Sequence, residues 1–222
     1  MNKINSIKKA CKITDQIFTQ IVNNLKQNKF KTEQDIYNFI LKEIKKRQLR
    51  PSFLPLVVNN NSKIHPKPRK YKLKQGFLVL DFGVRVNGYC SDMTRTLYLG
   101  KPTKYHKKFY NLLLKTQKYA INKAKIGMFA KQLDILTINK LKHYSKYFTH
   151  GLGHGLGKRI HTKPSLKLNS TDILKKGDIF TIEPGIYIKN KKIGLRIEDV
   201  IYLGKTKQIL SKSKKTLITI NI

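Results

Sequence analysis

Four carboxylates and a cluster of histidines are the residues of this chain whose types and spacing could do chemistry. Asp81 lies in the strand-like run FLVLDFG and Asp92 in YCSDMTRTLYL. The two runs flank Asn87-Gly88, a strong signal for a two-residue hairpin turn. With that turn Val86 faces Tyr89 and Asp81 faces Thr94, and Asp92 is the diagonal neighbour of Asp81 on the same face. Their Cα atoms would lie about 5–8 Å apart. Such a pair could grip one metal ion or bridge two. Glu183 in DIFTIEPGIYI and Glu198 in IGLRIEDVIYL repeat the pattern. A two-residue loop at Asn190-Lys191 would set Glu183 opposite Glu198. Pro184 and Gly185 should disturb that register, so the shared face is the firmer inference.

Four carboxylates in one core repel one another, and divalent cations remove that repulsion. The plainer reading, strand-end acids making local hydrogen bonds, fits any one of them better than all four. His150, His154 and His161 fall in THGLGHGLGKRIHTKP, which is too rich in glycine for a helix and lacks the HExxH spacing of thermolysin-type zinc sites. Its glycines would let backbone pass close to a ligand. Oxygen donors with a single imidazole favour Mn2+, with Co2+, Fe2+ or Zn2+ as alternatives.

These residues need elements to hold them. Residues 1–48 read as two helices. The first carries Ile13, Ile17, Ile21 and Leu25 near helical spacing, and Thr32 heads the second with acids in its first turn. Segment 51–75 holds four prolines and reads as irregular, with a short strand around Leu56–Val58. Two further helices are predicted over 103–126 and 130–147, then the two strand pairs and a last strand in TLITI. No linker divides the chain, so 1–222 is expected to be one domain of mixed α/β type.

Composition narrows the function. The 222 residues carry 47 Lys and Arg against 12 Asp and Glu, a net charge of +35. Such a charge suits nucleic acid, but only seven of the cations are arginine, and base readers lean on arginine. Nucleic-acid binding is therefore expected to be weak or non-specific. Two cysteines exclude a disulfide scaffold and a Cys-type zinc module. No apolar run reaches the roughly 18 residues of a membrane span, and no apolar stretch follows the basic start as a secretory signal would. The expected setting is the cytoplasm.

SDMTRT, HGLGHGLGKRIH, TIEPGIY and GLRIEDV resemble the signatures of the pita-bread metallopeptidases, which include Xaa-Pro aminopeptidases, prolidases and methionine aminopeptidases. The resemblance runs from about residue 5 to the C-terminus. It implies a curved antiparallel sheet flanked by helices, and two divalent metal ions held by Asp81, Asp92, His154, Glu183 and Glu198. Glu183 would also be the general base. His161 would assist substrate binding and proton handling, and His150 matches a histidine of the Xaa-Pro branch that could help stabilise an oxyanion. His65, Tyr187 and Arg196 match substrate-pocket positions. SDMTRT, EPGIY and RIED favour the Xaa-Pro and prolidase branch over methionine aminopeptidase. The expected partners are short peptides with a free N-terminus, with a homodimer left open.

Two departures stand out. The N-terminal domain usual in that branch is expected to be absent, since the sequence opens on what reads as the first helix of the catalytic domain. The family's HExP is HTKP here, with Thr162 in place of the acid. That acid is not a ligand, so altered support of the site is expected, not its loss. A non-catalytic member of the fold that binds peptide or RNA is the alternative of a different class.

Overall fold

The computed structural model describes residues 2–63 and 67–221. Two helices come first, α1 (Lys3–Lys26) and α2 (Glu33–Lys46). Thr32 caps α2, accepting from the Asp35 N–H while the Asp35 carboxylate accepts from the Thr32 N–H. Strands β1 (Arg50–Pro51), β2 (Leu56–Asn59), β3 (Gly76–Phe82), β4 (Val84–Val86), β5 (Tyr89–Cys90) and β6 (Met93–Leu99) follow. Then come α3 (Lys104–Lys123) and α4 (Ala130–Leu141). The second predicted helix of this pair therefore ends earlier than expected: at Lys142 the backbone turns to φ 54, and residues up to Tyr147 form a 3-10 segment. The chain closes with β7 (Gly153–Gly155), β8 (Thr162–Leu166), β9 (Ile179–Ile182), β10 (Gly185–Ile188), β11 (Ile193–Arg196), β12 (Asp199–Leu203), β13 (Lys207–Ile209) and β14 (Thr219–Ile220).

The strands form sheets in the orders β14-β6-β3-β2, β1-β4-β5, β13-β12-β9-β7-β8 and β10-β11. All described pairings are antiparallel except that of β14 with β6. Apolar faces of α1 and α2, including Ile17, Ile21, Ile36 and Ile40, bury against Leu78, Leu80 and Leu97 of the first sheet. Residues of α3 and α4 close over the other hairpin, with Leu113 packed near Ile186 and Leu195, and Leu133 near Phe180 and Ile201.

Two long hairpins organise the site. In the first, Asn87 and Gly88 take φ 51 and 80, the positive pair a type I′ turn requires. Asp81 pairs with Thr94 as the turn predicts, and one register runs from Arg85–Cys90 to Gly76–Leu99. In the second, the loop is four residues, Lys189–Lys192, not two, because a 3-10 turn is followed by Lys192 in the left-handed region. The expected disturbance at Pro184 does not shift the register. Gly185 pairs with Arg196 on one side and Ile182 with Asp199 on the other, so Glu183 counts against Glu198.

Both ladders lapse at their acids. The count sets Gly83 against Asp92 in the first hairpin and Glu183 against Glu198 in the second, and both pairs fall between strands. The freed backbone groups pair elsewhere. The Glu198 N–H donates to the Thr94 carbonyl, and the Glu183 N–H donates to that of Leu152. The interruption thus ties the hairpins to each other and to the histidine segment, and it brings their acids together.

Candidate metal centre

His154 stands at a β-bulge in β7, between β8 and β9. The glycines around it have a different purpose from the one expected. A Cβ on Gly153 would lie 2.1 Å from the Thr181 carbonyl oxygen, and one on Gly155 would lie 1.9 Å from that of Lys163. Neighbouring strands, not a ligand, demand those two glycines. They let β7 sit deep enough for the His154 ring to reach the acids.

Single ligand atoms of Asp92, His154 and Glu198 lie within 4.8 Å of one another, close enough to hold one metal ion. His154 Nε2 is 3.6 Å from Asp92 Oδ2 and 3.3 Å from Glu183 Oε1. Its Nδ1 is 3.1 Å from the Gly155 carbonyl. The His161 N–H also reaches Nδ1, at 3.2 Å, so Nδ1 accepts there in one tautomer and donates to Gly155 in the other. In the second the Nε2 lone pair faces the carboxylates, the arrangement of a metal-ligating histidine. Burial lowers this imidazole to about 4, so it is neutral at physiological pH.

The carboxylates are supported but not satisfied. Thr94 donates to Glu198 Oε2 at 2.7 Å and Thr181 donates to Glu183 Oε1 at 3.1 Å. Asp81 accepts from the Arg196 guanidinium through Oδ2. Asp81 Oδ1 and Glu198 Oε1 are buried without any hydrogen-bond partner among the described residues. Buried carboxylate oxygens left so are costly, and a cation is what they lack. Burial pushes Asp92 and Glu198 well above the usual carboxylate range, and neighbouring acids push them further. Burial also raises Asp81, against the pull of Arg196. Glu183 is pushed up to about 7, chiefly by burial, with Arg196 opposing. The triad of Asp92, His154 and Glu198, two carboxylates and one neutral imidazole, therefore fits divalent metal.

A hydrogen-bonded chain leads away from Asp81. Arg196 also donates to Thr94 Oγ1 at 3.0 Å and to the Tyr187 hydroxyl at 3.3 Å. That hydroxyl is 2.9 Å from His150 Nε2, and His150 Nδ1 is 2.9 Å from the Gly151 carbonyl. Both nitrogens of His150 are thus engaged, and burial lowers its imidazole to about 4. Gly185 leaves room for the Tyr187 ring, since a Cβ there would fall 2.4 Å from the phenol oxygen. His161 is exposed at φ 58, its ring centroid 4.3 Å from that of His154. His65 lies outside the described residues.

Comparison with known proteins gives this cluster its context. The sequence model of metallopeptidase family M24 matches residues 5–205. The chain belongs to metallopeptidase family M24. An uncharacterized peptidase of Methanocaldococcus jannaschii is 40% identical over 210 residues, covering 91% of this chain and 59% of that protein. An Xaa-Pro dipeptidase of Pyrococcus furiosus is 33% identical, covering 97% of this chain and 63% of its own length. Among solved structures, the recombinant prolidase of Thermococcus sibiricus superposes with a TM-score of 0.90 at 34% identity, covering 98% of this chain and 61% of that one. The X-Pro aminopeptidase of Thermotoga maritima gives 0.90 at 28%, covering 98% and 63%. The fold is the expected pita-bread fold of this M24 family. The chain spans about three fifths of the length of these relatives.

Sequence reasoning missed the threonines that hold Glu198 and Glu183. Thr181 shares a strand face with Glu183 two residues on, and Thr94 faces Asp81 in the predicted register, so the signal was present for both. It also missed the residue after Glu198. Asp199 accepts from Arg95, Gln117, Lys215 and Ser211. Arg95, from the same SDMTRT motif, also donates to the Glu198 carbonyl.

Proposed function

We propose that this chain is the catalytic unit of a cytoplasmic, metal-dependent exopeptidase that removes the N-terminal residue of short peptides, with cleavage before proline preferred. The carrying observation is the triad of Asp92, His154 and Glu198, whose ligand atoms lie within 4.8 Å of one another, with Glu183 3.3 Å from His154 and with Asp81 Oδ1 and Glu198 Oε1 buried and unpartnered among the described residues. The Xaa-Pro preference is supported by two of the relatives, an Xaa-Pro dipeptidase and an X-Pro aminopeptidase. The cytoplasmic setting is supported by two buried free cysteines, Cys11 and Cys90, which suit a reducing compartment. No described helix is long and apolar enough to cross a membrane.

The five ligands would hold two divalent ions, Mn2+ before Co2+, Fe2+ or Zn2+, because four of the five donors are hard oxygens. When bound, such ions supply Lewis acidity and an acidified water. The remaining work belongs to the chain. Glu183, raised towards neutrality by burial, is matched to taking a proton from water and delivering it to the leaving amine. Arg196 holds Asp81 in place and Thr94 holds Glu198. His150 has no free nitrogen and anchors Tyr187 in the pocket wall. His161, open to the cleft, is the better placed of the two to orient substrate and handle a proton.

The test is hydrolysis of Ala-Pro, Ala-Pro-Ala and Met-Ala-Ala by metal-stripped protein with Mn2+, Co2+, Fe2+ or Zn2+ added back. Metal-dependent release of alanine before proline is expected. Cleavage of Met-Ala-Ala alone would replace this reading with methionine aminopeptidase. No turnover with any metal would overturn the peptidase assignment.

A further inference from the structure

We propose that the cleft selects peptides that are acidic downstream of the cleaved bond, through an open lysine rim on both sides of Arg196. This rests on the peptidase reading and adds the substrate class. Two cavities of about 630 and 620 Å3 flank the cluster. Both are lined by His150 and Arg196, so they adjoin at these two side chains as the two arms of a trough. Lys63 and Lys189 line one arm, Lys163 and Lys167 the other.

The charges in this trough do not cancel. Its two acids are Glu183 and Asp172. Glu183 belongs to the ligand cluster. Asp172 is committed to Lys163, 3.3 Å away, and to the Ser165 N–H at 2.9 Å. Arg196 spends its charge on Asp81. Among the described residues, Lys63, Lys167 and Lys189 have no acidic side chain within 4.0 Å. Lys189 is exposed and lies in the turn of the second hairpin, and Lys63 is exposed on the segment across the trough. A peptide held at the ligand cluster by its N-terminal end has to leave along one arm. Whichever arm it takes, its downstream side chains and terminal carboxylate meet unpaired ammonium groups. A cleft lined by one sign of charge raises the local concentration of the opposite sign and disfavours its own. The same lysines would repel Lys- and Arg-rich peptides.

The net charge of +35 supplies an attractive field everywhere, so the test has to separate rim from whole. The measurement is kcat/KM for Ala-Pro-Asp-Asp, Ala-Pro-Ala-Ala and Ala-Pro-Lys-Lys with metal-loaded protein. The acidic peptide should exceed the basic one by about 10-fold at about 20 mM salt, shrinking to about 2-fold at about 0.5 M. The double variant Lys63→Gln, Lys189→Gln should cut the acidic-to-basic ratio about 3-fold. Lys115→Gln with Lys118→Gln, exposed on α3 and not lining the trough, makes the same change in net charge and should leave the ratio unaltered. Equal rates for the three peptides would overturn the proposal, as would equal losses in the two double variants. If Ala-Pro-Ala-Ala itself is not cleaved, the peptidase reading has failed, and calorimetric binding of the peptides with the scissile carbonyl reduced to CH2 still decides. Tighter binding of the acidic peptide, lost in the rim variant only, upholds the rim; equal binding overturns it.

Discussion

Glu198 and Asp199 are consecutive and both are buried, at 1% and 0% exposure, yet the fold treats them in opposite ways. Asp199 receives Arg95 at 2.7 Å, Gln117 at 2.8 Å, Ser211 at 2.9 Å and the Lys215 ammonium. Burial pushes its carboxyl up, but Arg95 and Lys215 more than reverse that and hold it below its ordinary value. Glu198 receives one threonine hydroxyl, keeps one oxygen without a partner, and is raised by burial and by Glu183 and Asp81. One backbone step separates the two, from the lapse that holds Glu198 to the first residue of β12. The lesson is that burial does not define a working carboxylate. A structural acid such as Asp199 is given its cations by the chain, whereas Glu198 is left short of them, as a metal ligand would be.

This contrast makes Glu183→Gln and Glu198→Gln the variants of largest effect. Peptide hydrolysis should fall by about 1,000-fold or more. The metal-free Glu198→Gln protein should melt higher than metal-free wild type at pH 8, because one of four repelling charges is gone. A lower melting point would mean Glu198 is a structural acid like its neighbour.

Asp199→Asn should do the reverse. It strands Arg95 and Lys215 in the interior and should cost about 3–5 kcal/mol, or about 10 °C in Tm by calorimetry. Unchanged stability would break the comparison from the other side.

The pH response separates the two regions again. A carboxyl whose folded pKa is raised binds its proton better when folded, so its contribution is present at low pH and is lost as pH rises from the unfolded to the folded value. For Glu183 that window runs from the ordinary 4.5 to about 7. The Tm of metal-free protein should therefore fall by about 5 °C between pH 5 and 8, and added Mn2+ should flatten the slope. Asp199 has the opposite sign: its contribution is present at neutral pH and is lost only as pH falls through its depressed value, below 3.8.

The smallest effect belongs to Thr94→Val, which removes a donor to Glu198 and an acceptor for Arg196. Metal affinity should weaken by about 10-fold, read by competition with a chelator, with the fold intact.

Much of this was legible before the structure. Asn87-Gly88 set the first register because only such residues accept two successive positive φ values, and the period of two then placed Asp81 beside Asp92. The second register survived a wrong loop length because the 3-10 turn adds one residue on each side of Asn190-Lys191. The scarcity of acids singled out Glu183 and Glu198, which lie beside the other acids of the cluster, but Glu33 serves structure, gripped by Arg69 at 2.5 Å. What stayed hidden depended on contacts between distant segments. The purpose of Gly153 and Gly155 needed the positions of β8 and β9. The commitment of Arg196 to Asp81, 115 residues away in sequence, needed both hairpins in place.

The central claim is that these five residues are a divalent-metal site, and calorimetric titration of metal-stripped protein with Mn2+ tests it most directly. The account predicts two ions bound per chain at pH 7.5, with proton release as the raised carboxylates ionise. No saturable binding of Mn2+, Co2+, Fe2+ or Zn2+ by folded protein would contradict it.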